Sequence, residues 1–276
     1  MKIAVASGKG GTGKTTVAVN LALSLDNVQL LDCDVEEPDC HLFLDLDLEK
    51  IEDVNVPLPV VDEDKCTLCG ECAKLCHFNA IVVIPKKVLV FPELCHGCGL
   101  CSLACPQGAI TEKKRVMGKV ERGRGEIEFY HGVLTTGEAI APAVIRAVKK
   151  RIDNSKTAII DAPPGNACPV VEAVEGSDFC ILVTEPTPFG LHDLRLSMKM
   201  LDRLGVPYGV IVNRDGIGDR RVEDYCEKRG VPILMKIPHD ERIAKLYSRG
   251  IPFVKEMPAW REKFLDLYSS ILEVAA

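Results

Sequence analysis

The sequence predicts an α/β domain, a mostly parallel sheet with helices on both faces, interrupted once by a small α+β unit. Three observations carry that prediction. Short apolar runs ending on acids or turns alternate with helical stretches, the pattern of a parallel sheet wound with helices. The first run is followed by a glycine-rich loop and then a helix pattern. Eight of the 13 cysteines lie between residues 66 and 105, in two runs that superimpose.

Residues 3–6, Ile-Ala-Val-Ala, fit a buried parallel strand. Gly8, Lys9, Gly10, Gly11, Thr12, Gly13, Lys14, Thr15 and Thr16 follow, and residues 17–23 read as a helix. Strand, glycine-rich loop and helix in that order make a phosphate-binding loop. Backbone N–H groups close on phosphate oxygens there, and the helix N-terminus adds partial positive charge. Lys14 is expected on the β and γ phosphates, and the Thr15 hydroxyl on Mg²⁺. Residues 28–34 form a strand that closes on Asp32 and Asp34, and residues 157–161 one that closes on Asp161. Two more core strands are expected over 179–185 and 208–213. Helices are expected over 138–151, 191–204, 221–229 and 259–274. In the last, Trp260, Phe264, Leu267 and Ile271 share one face, which suits core packing.

Cys66, Cys69, Cys72 and Cys76 recur as Cys95, Cys98, Cys101 and Cys105, each shifted by 29 positions. Gly70 maps onto Gly99 by the same shift, and Ala80-Ile81 onto Ala109-Ile110. Each run reads C-x2-C-x2-C-x3-C, and in such two-cluster units the fourth cysteine crosses to the other cluster. One [4Fe-4S] cluster is therefore expected on Cys66, Cys69, Cys72 and Cys105. The second is expected on Cys95, Cys98, Cys101 and Cys76. A tetrahedral zinc site has no use for a third cysteine at this step. A disulfide framework needs an oxidising compartment, but the opening residues carry one charge and too short an apolar run for a signal peptide. No stretch approaches the roughly 18 apolar residues of a membrane span. A reduced, cytoplasmic setting is expected, with no membrane partner.

Lys9 through Thr15, Lys-Gly-Gly-x-Gly-Lys-Thr, resembles the deviant Walker A loop of the MinD/ParA group of ATPases, related to the nitrogenase iron protein and Mrp-type cluster carriers. The segment between the two ATPase flanks resembles a bacterial-type two-cluster ferredoxin. Together these resemblances cover nearly the whole chain. They imply an ATPase that hydrolyses ATP to ADP and forms a homodimer on ATP binding, with Lys9 reaching the partner's nucleotide. They also imply that Asp34 positions or activates the attacking water and that Asp161 holds Mg²⁺ ahead of a stiff turn, Ala162-Pro163-Pro164-Gly165. Asn213 would read the adenine edge, with residues 238–240 bordering the base. Catalysis would then rest on Lys9, Lys14 and Asp34, by orientation and charge neutralisation.

The expected boundaries are residues 1–59 and 112–276 for the ATPase and 60–111 for the insert, with Pro57-Leu58-Pro59 as a linker. Residues 116–120 and 126–134 flank Arg122-Gly123-Arg124-Gly125 and read as a hairpin leading back to the sheet. About fifty residues cannot bury a large core, so cluster ligation is expected to supply much of the insert's stability. Cys180 and Cys226 suit the core. Cys168 follows the stiff turn, but its neighbours do not reproduce the cluster motif of the nitrogenase iron protein. The C-x-x-C pair of Mrp-type carriers is absent. Lys113, Lys114, Arg115, Lys119, Arg122 and Arg124 form a basic stretch on a chain of net charge −6, a solvated face or a docking site for an acidic redox partner. Nucleic-acid binding is not expected.

The leading functional expectation is ATP-gated, low-potential electron transfer to an unidentified redox partner. The alternatives are delivery of clusters to an accepting protein and a positioning ATPase with structural clusters. Ligation by eight cysteines favours electron transfer, because a donor must release its cargo.

Overall fold

The computed structural model describes residues 1–138 and 140–275. The chain opens with β1 (Lys2–Ala6), α1 (Lys14–Ser24) and β2 (Val28–Asp32). A long strand, β3 (Leu46–Val61), leads out to α2 (Glu71–Leu75), β4 (Ile81–Ile84), β5 (Lys87–Val90) and α3 (Leu100–Leu103). An equally long β6 (Ile110–Gly125) returns into β7 (Glu128–Leu134). The remainder alternates: α4 (Pro142–Lys149), β8 (Thr157–Asp161), α5 (Cys168–Val174), β9 (Phe179–Thr184), α6 (Pro188–Leu204), β10 (Tyr208–Asp215), α7 (Arg221–Arg229) and β11 (Ile233–Pro238). Three helices close it, α8 (Glu241–Tyr247), α9 (Phe253–Glu256) and α10 (Pro258–Ala275).

Among the described residues the main sheet runs β11-β10-β9-β1-β8-β2-β7-β6-β3. Neighbours from β11 to β7 are parallel, whereas β6 and β3 are antiparallel additions. The inner strands are buried on both faces, which is why they read as unbroken apolar runs. Ile160 joins the core that Val148 and Met198 close from α4 and α6, and its neighbour Ile159 faces the other core, under Leu21 of α1 and Phe264 of α10. Trp260, Leu267 and Ile271 join that second core, as their spacing implies. The helix expected from 138 begins at Pro142, a proline preorganised for the first helical turn; residue 139 lies outside the described residues.

Pro57-Leu58-Pro59 is not a linker but part of β3. This strand pairs with β6 from Leu46↔Gly125 to Val61↔Ile110, and as the sheet's edge it tolerates prolines. β7 accompanies β6 only between Gly123 and Gly118, where Gly118 faces Leu134. Beyond that point β3 and β6 continue as a two-stranded arm about 25 Å long. Because β7 runs parallel to β2, the arm leaves from the carboxyl end of the sheet, the end that carries the phosphate loop.

The 29-residue repeat is copied in the backbone at the arm's tip. Leu68 and Gly97, Gly70 and Gly99, and Asn79 and Gly108 are three matched pairs of left-handed residues. Gly97 has a further constraint, since a Cβ there would stand 2.9 Å from Pro57 O and from Val56 Cβ. The second half of the repeat therefore sits directly on the arm. Gly97→Ala should cost about 1–3 kcal/mol of that docking. The expected readout is faster proteolytic cleavage within residues 62–109 at an unchanged thermal midpoint of the ATPase core.

Candidate nucleotide site and candidate cluster cavities

Gly11 and Gly13 take left-handed φ of +74° and +94°. Gly13 begins α1 without a side-chain cap, so the first N–H groups of the helix stay available to an anion. Gly10 and Gly11 face open space, but a Cβ on Gly13 would stand 2.3 Å from Asn213 Nδ2, and one on Gly8 would meet Asp193 at 2.6 Å. Asn213 Nδ2 donates to Thr12 O at 2.8 Å, which ties the end of β10 to the loop. Gly165 N–H donates to Ser7 O at 3.0 Å and seats the 162–165 turn against the same loop. Asn20 Nδ2 likewise braces Thr16, donating to its carbonyl at 2.7 Å. His239 N–H donates to Asp215 O, which places residues 238–240 beside the turn after Asn213.

Lys14 is buried among acids. Lys14 Nζ lies 3.7 Å from Asp34 Oδ2. Burial works against its charge, but the carboxylates of Asp161 and Asp34 outweigh it and raise the Lys14 pKa. Register sets Asp32 opposite Asp161 on β2 and β8. Asp32 accepts N–H bonds from Asp34, Asp39 and Cys40, each at 3.0 Å, and so shapes the turn after β2. Asp161 Oδ2 accepts from Thr15 Oγ1 at 2.6 Å and from the Cys40 thiol at 3.5 Å, while Asp161 Oδ1 is buried without a partner among the described residues. A free buried carboxylate oxygen beside a buried hydroxyl is a donor set that fits Mg²⁺. Burial pushes the pKa of Asp161 and Asp32 up. It pushes Asp34 up to about 7, with Lys14 opposing.

Lys14, Thr15, Asp34 and Asp161 therefore meet around one point. Lys9 does not join them. Its ammonium lies 2.9 Å from Glu185 Oε2, and Glu185 Oε1 accepts from Arg214 Nη1 at 2.6 Å. Two residues of this region, Cys40 and Glu185, had no signal in the sequence beyond lying near Asp34 and at the end of an apolar run.

At the arm's tip the cysteines line two cavities. The larger, about 440 Å³, is lined by Cys76, Cys95, Cys98 and Cys101, with Pro57, Pro59 and Glu112 of the arm. The other, about 360 Å³, is lined by Cys66, Cys69, Cys72 and Cys105. Each cavity thus takes three thiols from one run and the last from the other, the grouping expected from the crossed motif. Ala80 N–H donates to Cys76 Sγ and Ala109 N–H to Cys105 Sγ, both at 3.3 Å. The N–H of Ala109, with neighbouring backbone donors, holds the Cys105 pKa down, whereas burial raises those of Cys72 and Cys101. Four sulfurs, apolar walls and N–H groups aimed at sulfur fit an iron–sulfur cluster in each cavity. None of the 13 cysteines is in a disulfide.

The second half of the repeat is also tied down by side chains. Arg115 pairs with Glu138, Nε to Oε1 at 3.1 Å, and donates to Pro92 O. Ser102 Oγ donates to Glu112 Oε1 at 2.5 Å. Much of the expected basic stretch is consumed in ion pairs, Arg115 with Glu138, Lys119 with Glu121, Arg122 with Glu128 and Arg124 with Glu49. Cys180 and Cys226 are buried in the core, and Cys168 is exposed at the start of α5.

Asp34 keeps its proton to higher pH in the folded than in the unfolded chain. Its stabilising contribution is complete below the ordinary carboxylate value of 3.8 and is lost as pH rises through about 7. Asp34→Asn should match the parent near pH 4 and exceed it by about 1–3 kcal/mol at pH 8. Denaturant unfolding of nucleotide-free protein at the two pH values checks this.

Comparison with known proteins agrees with this geometry. Residues 3–253 match the CobQ/CobB/MinD/ParA nucleotide binding domain. An uncharacterized protein of Methanocaldococcus jannaschii is 32% identical over 286 residues, covering 100% of this chain and 96% of its own. A Pyrococcus horikoshii protein named iron-sulfur cluster carrier protein is 26% identical, covering 98% of this chain and 85% of its own. The cell division ATPase MinD of Pyrococcus furiosus superimposes with a TM-score of 0.59 at 23% identity, over 100% of this chain and 99% of that one, a likeness of fold. With the strand–loop–helix, the paired acids and this match over most of its length, the chain belongs to the CobQ/CobB/MinD/ParA nucleotide-binding family and is a P-loop ATPase of the MinD/ParA type.

Proposed function

We propose that this ATPase uses nucleotide state to govern an iron–sulfur unit of two [4Fe-4S] clusters that pass low-potential electrons to a partner protein. Residues Gly8 to Thr16 bind the phosphates of ATP or ADP through backbone N–H groups, and Lys14 neutralises charge at the β and γ positions. Thr15 Oγ1 and Asp161 hold Mg²⁺, which when bound adds further positive charge beside the phosphate oxygens. Asp34 orients the attacking water and accepts its proton as ATP becomes ADP and phosphate; a carboxyl titrating near 7 suits that task. Lys9 serves the nucleotide of a second copy in an ATP-bound homodimer, and the Asn213 amide reads the adenine edge.

Cys66, Cys69, Cys72 and Cys105 hold one cluster, and Cys95, Cys98, Cys101 and Cys76 the other; when bound, such clusters supply one-electron chemistry. The observation that carries electron transfer over delivery is the crossed lining of the two cavities. Neither cavity can empty without disturbing both halves of the repeat, so the clusters are better suited to stay than to leave. A second reading, ATP-driven delivery of clusters to an acceptor, is favoured by the name of the Pyrococcus horikoshii relative.

The two readings separate in one anaerobic experiment. Electron transfer predicts reversible reduction of the loaded protein with iron retained through cycles of ATP addition. Delivery predicts iron moving stoichiometrically to an apo-ferredoxin acceptor when ATP is added, and that result would displace the first reading. Two further outcomes are expected. Lys14→Ala should lower ATP hydrolysis by about a hundredfold or more while iron content is unchanged. Removing iron with a chelator should raise hydrogen exchange across residues 62–109 and leave that of β1, β8 and β9 as it was.

A further inference from the structure

Lys9 is held within its own chain by Glu185, and the geometry of that contact is specific. β9 neighbours β1, with Ala6 opposite Leu182, so the loop leaving β1 passes the residue that follows β9. There the Glu185 carboxylate, 7% exposed, holds Lys9 on one oxygen and Arg214 on the other. Both cations are far more open to solvent, at 34% and 50% exposure. Arg214 is delivered by a rigid turn: its φ is +54°, and Asn213 before it is bonded to Thr12 O. Farther along the same loop, a Cβ on Gly218 would meet Pro186 O at 1.5 Å, so the loop is seated on the segment that bears Glu185.

A buried carboxylate stripped of its only cation is strongly destabilised, whereas one that loses the first of two is not. We infer that Glu185 is a positioning residue that parks Lys9 in its own chain until a second copy brings a nucleoside triphosphate within reach. Arg214 remains on Glu185 when Lys9 departs, which keeps the barrier to release low. The acceptor is the phosphate tail of the nucleotide held by the other copy, a polyanion that outcompetes a carboxylate already shared with Arg214. This inference rests on the reading that ATP assembles a homodimer.

Sedimentation equilibrium with Mg²⁺ and a non-hydrolysable ATP analogue tests it in the full chain. Glu185→Gln frees Lys9 and should lower the dimer dissociation constant about three- to tenfold. Arg214→Gln leaves Lys9 as the sole partner of a buried carboxylate and should raise it by a similar factor. A merely structural Glu185 would weaken the dimer in both variants. Amine labelling of the nucleotide-free monomer, read at Lys9 by peptide mass spectrometry, adds an assay that needs no dimer. Lys9 should react about threefold faster in Glu185→Gln and more slowly in Arg214→Gln. Unchanged labelling in Glu185→Gln, or a dimer that it weakens or leaves unchanged, overturns the parking role. A parent protein that stays monomeric with the analogue defeats the dimer reading instead, and the labelling still decides whether Glu185 holds Lys9.

Discussion

The register of β3 against β6 is the constraint on which the arrangement depends. Pairing from Leu46↔Gly125 to Val61↔Ile110 closes the insert at its base, and Asp62 N–H continues it to Ala109 O at 2.7 Å. Cys66 and Cys105, the outermost cysteines of the insert, are thereby brought to one cavity. A slip of one residue would turn Val54, Val56 and Leu58 out of their buried positions. The same slip would carry Pro57, Pro59 and Glu112 away from the other cavity.

The same two strands reach back to the nucleotide end of the sheet. His131 of β7 lies opposite Asp32 and bonds Glu121 of β6, Nε2 to Oε2 at 2.9 Å. The His41 ring, in the turn that Asp32 shapes, packs edge-on against His131 with centroids 5.2 Å apart. Arg115 adds a clamp farther out, joining the loop before Cys95 to Glu138. These contacts run from the buried acids to β6, the strand that leads to the cysteine repeat.

What could be read from the sequence was what is local. The phosphate loop, the strands closing on Asp32 and Asp161, and the spacing of the cysteines are each written within one short segment. The hairpin of residues 116–120 and 126–134 was legible and is the β6–β7 pair, but the β3–β6 ladder was not, because its strands are rich in charge, glycine and proline and its prolines read as a linker. Its pairing also joins segments separated by the whole insert. The ion pairs of the basic stretch were illegible for the same reason: Arg115 and Arg124 are paired by Glu138 and Glu49 from other parts of the chain. Cys40 gave no signal because its place beside Asp161 is made by three backbone bonds to Asp32. Glu185 read simply as the end of a strand, and its meaning appears only where β9 lies next to β1.

If the proposed function holds, both crossed quartets of thiols hold a cubane in a chain that also grips nucleotide. Iron and acid-labile sulfide counted on anaerobically reconstituted protein test it most directly. About eight of each per chain are expected, in protein that also binds ATP and ADP. A count of four or fewer, or full occupancy without nucleotide binding, would contradict it.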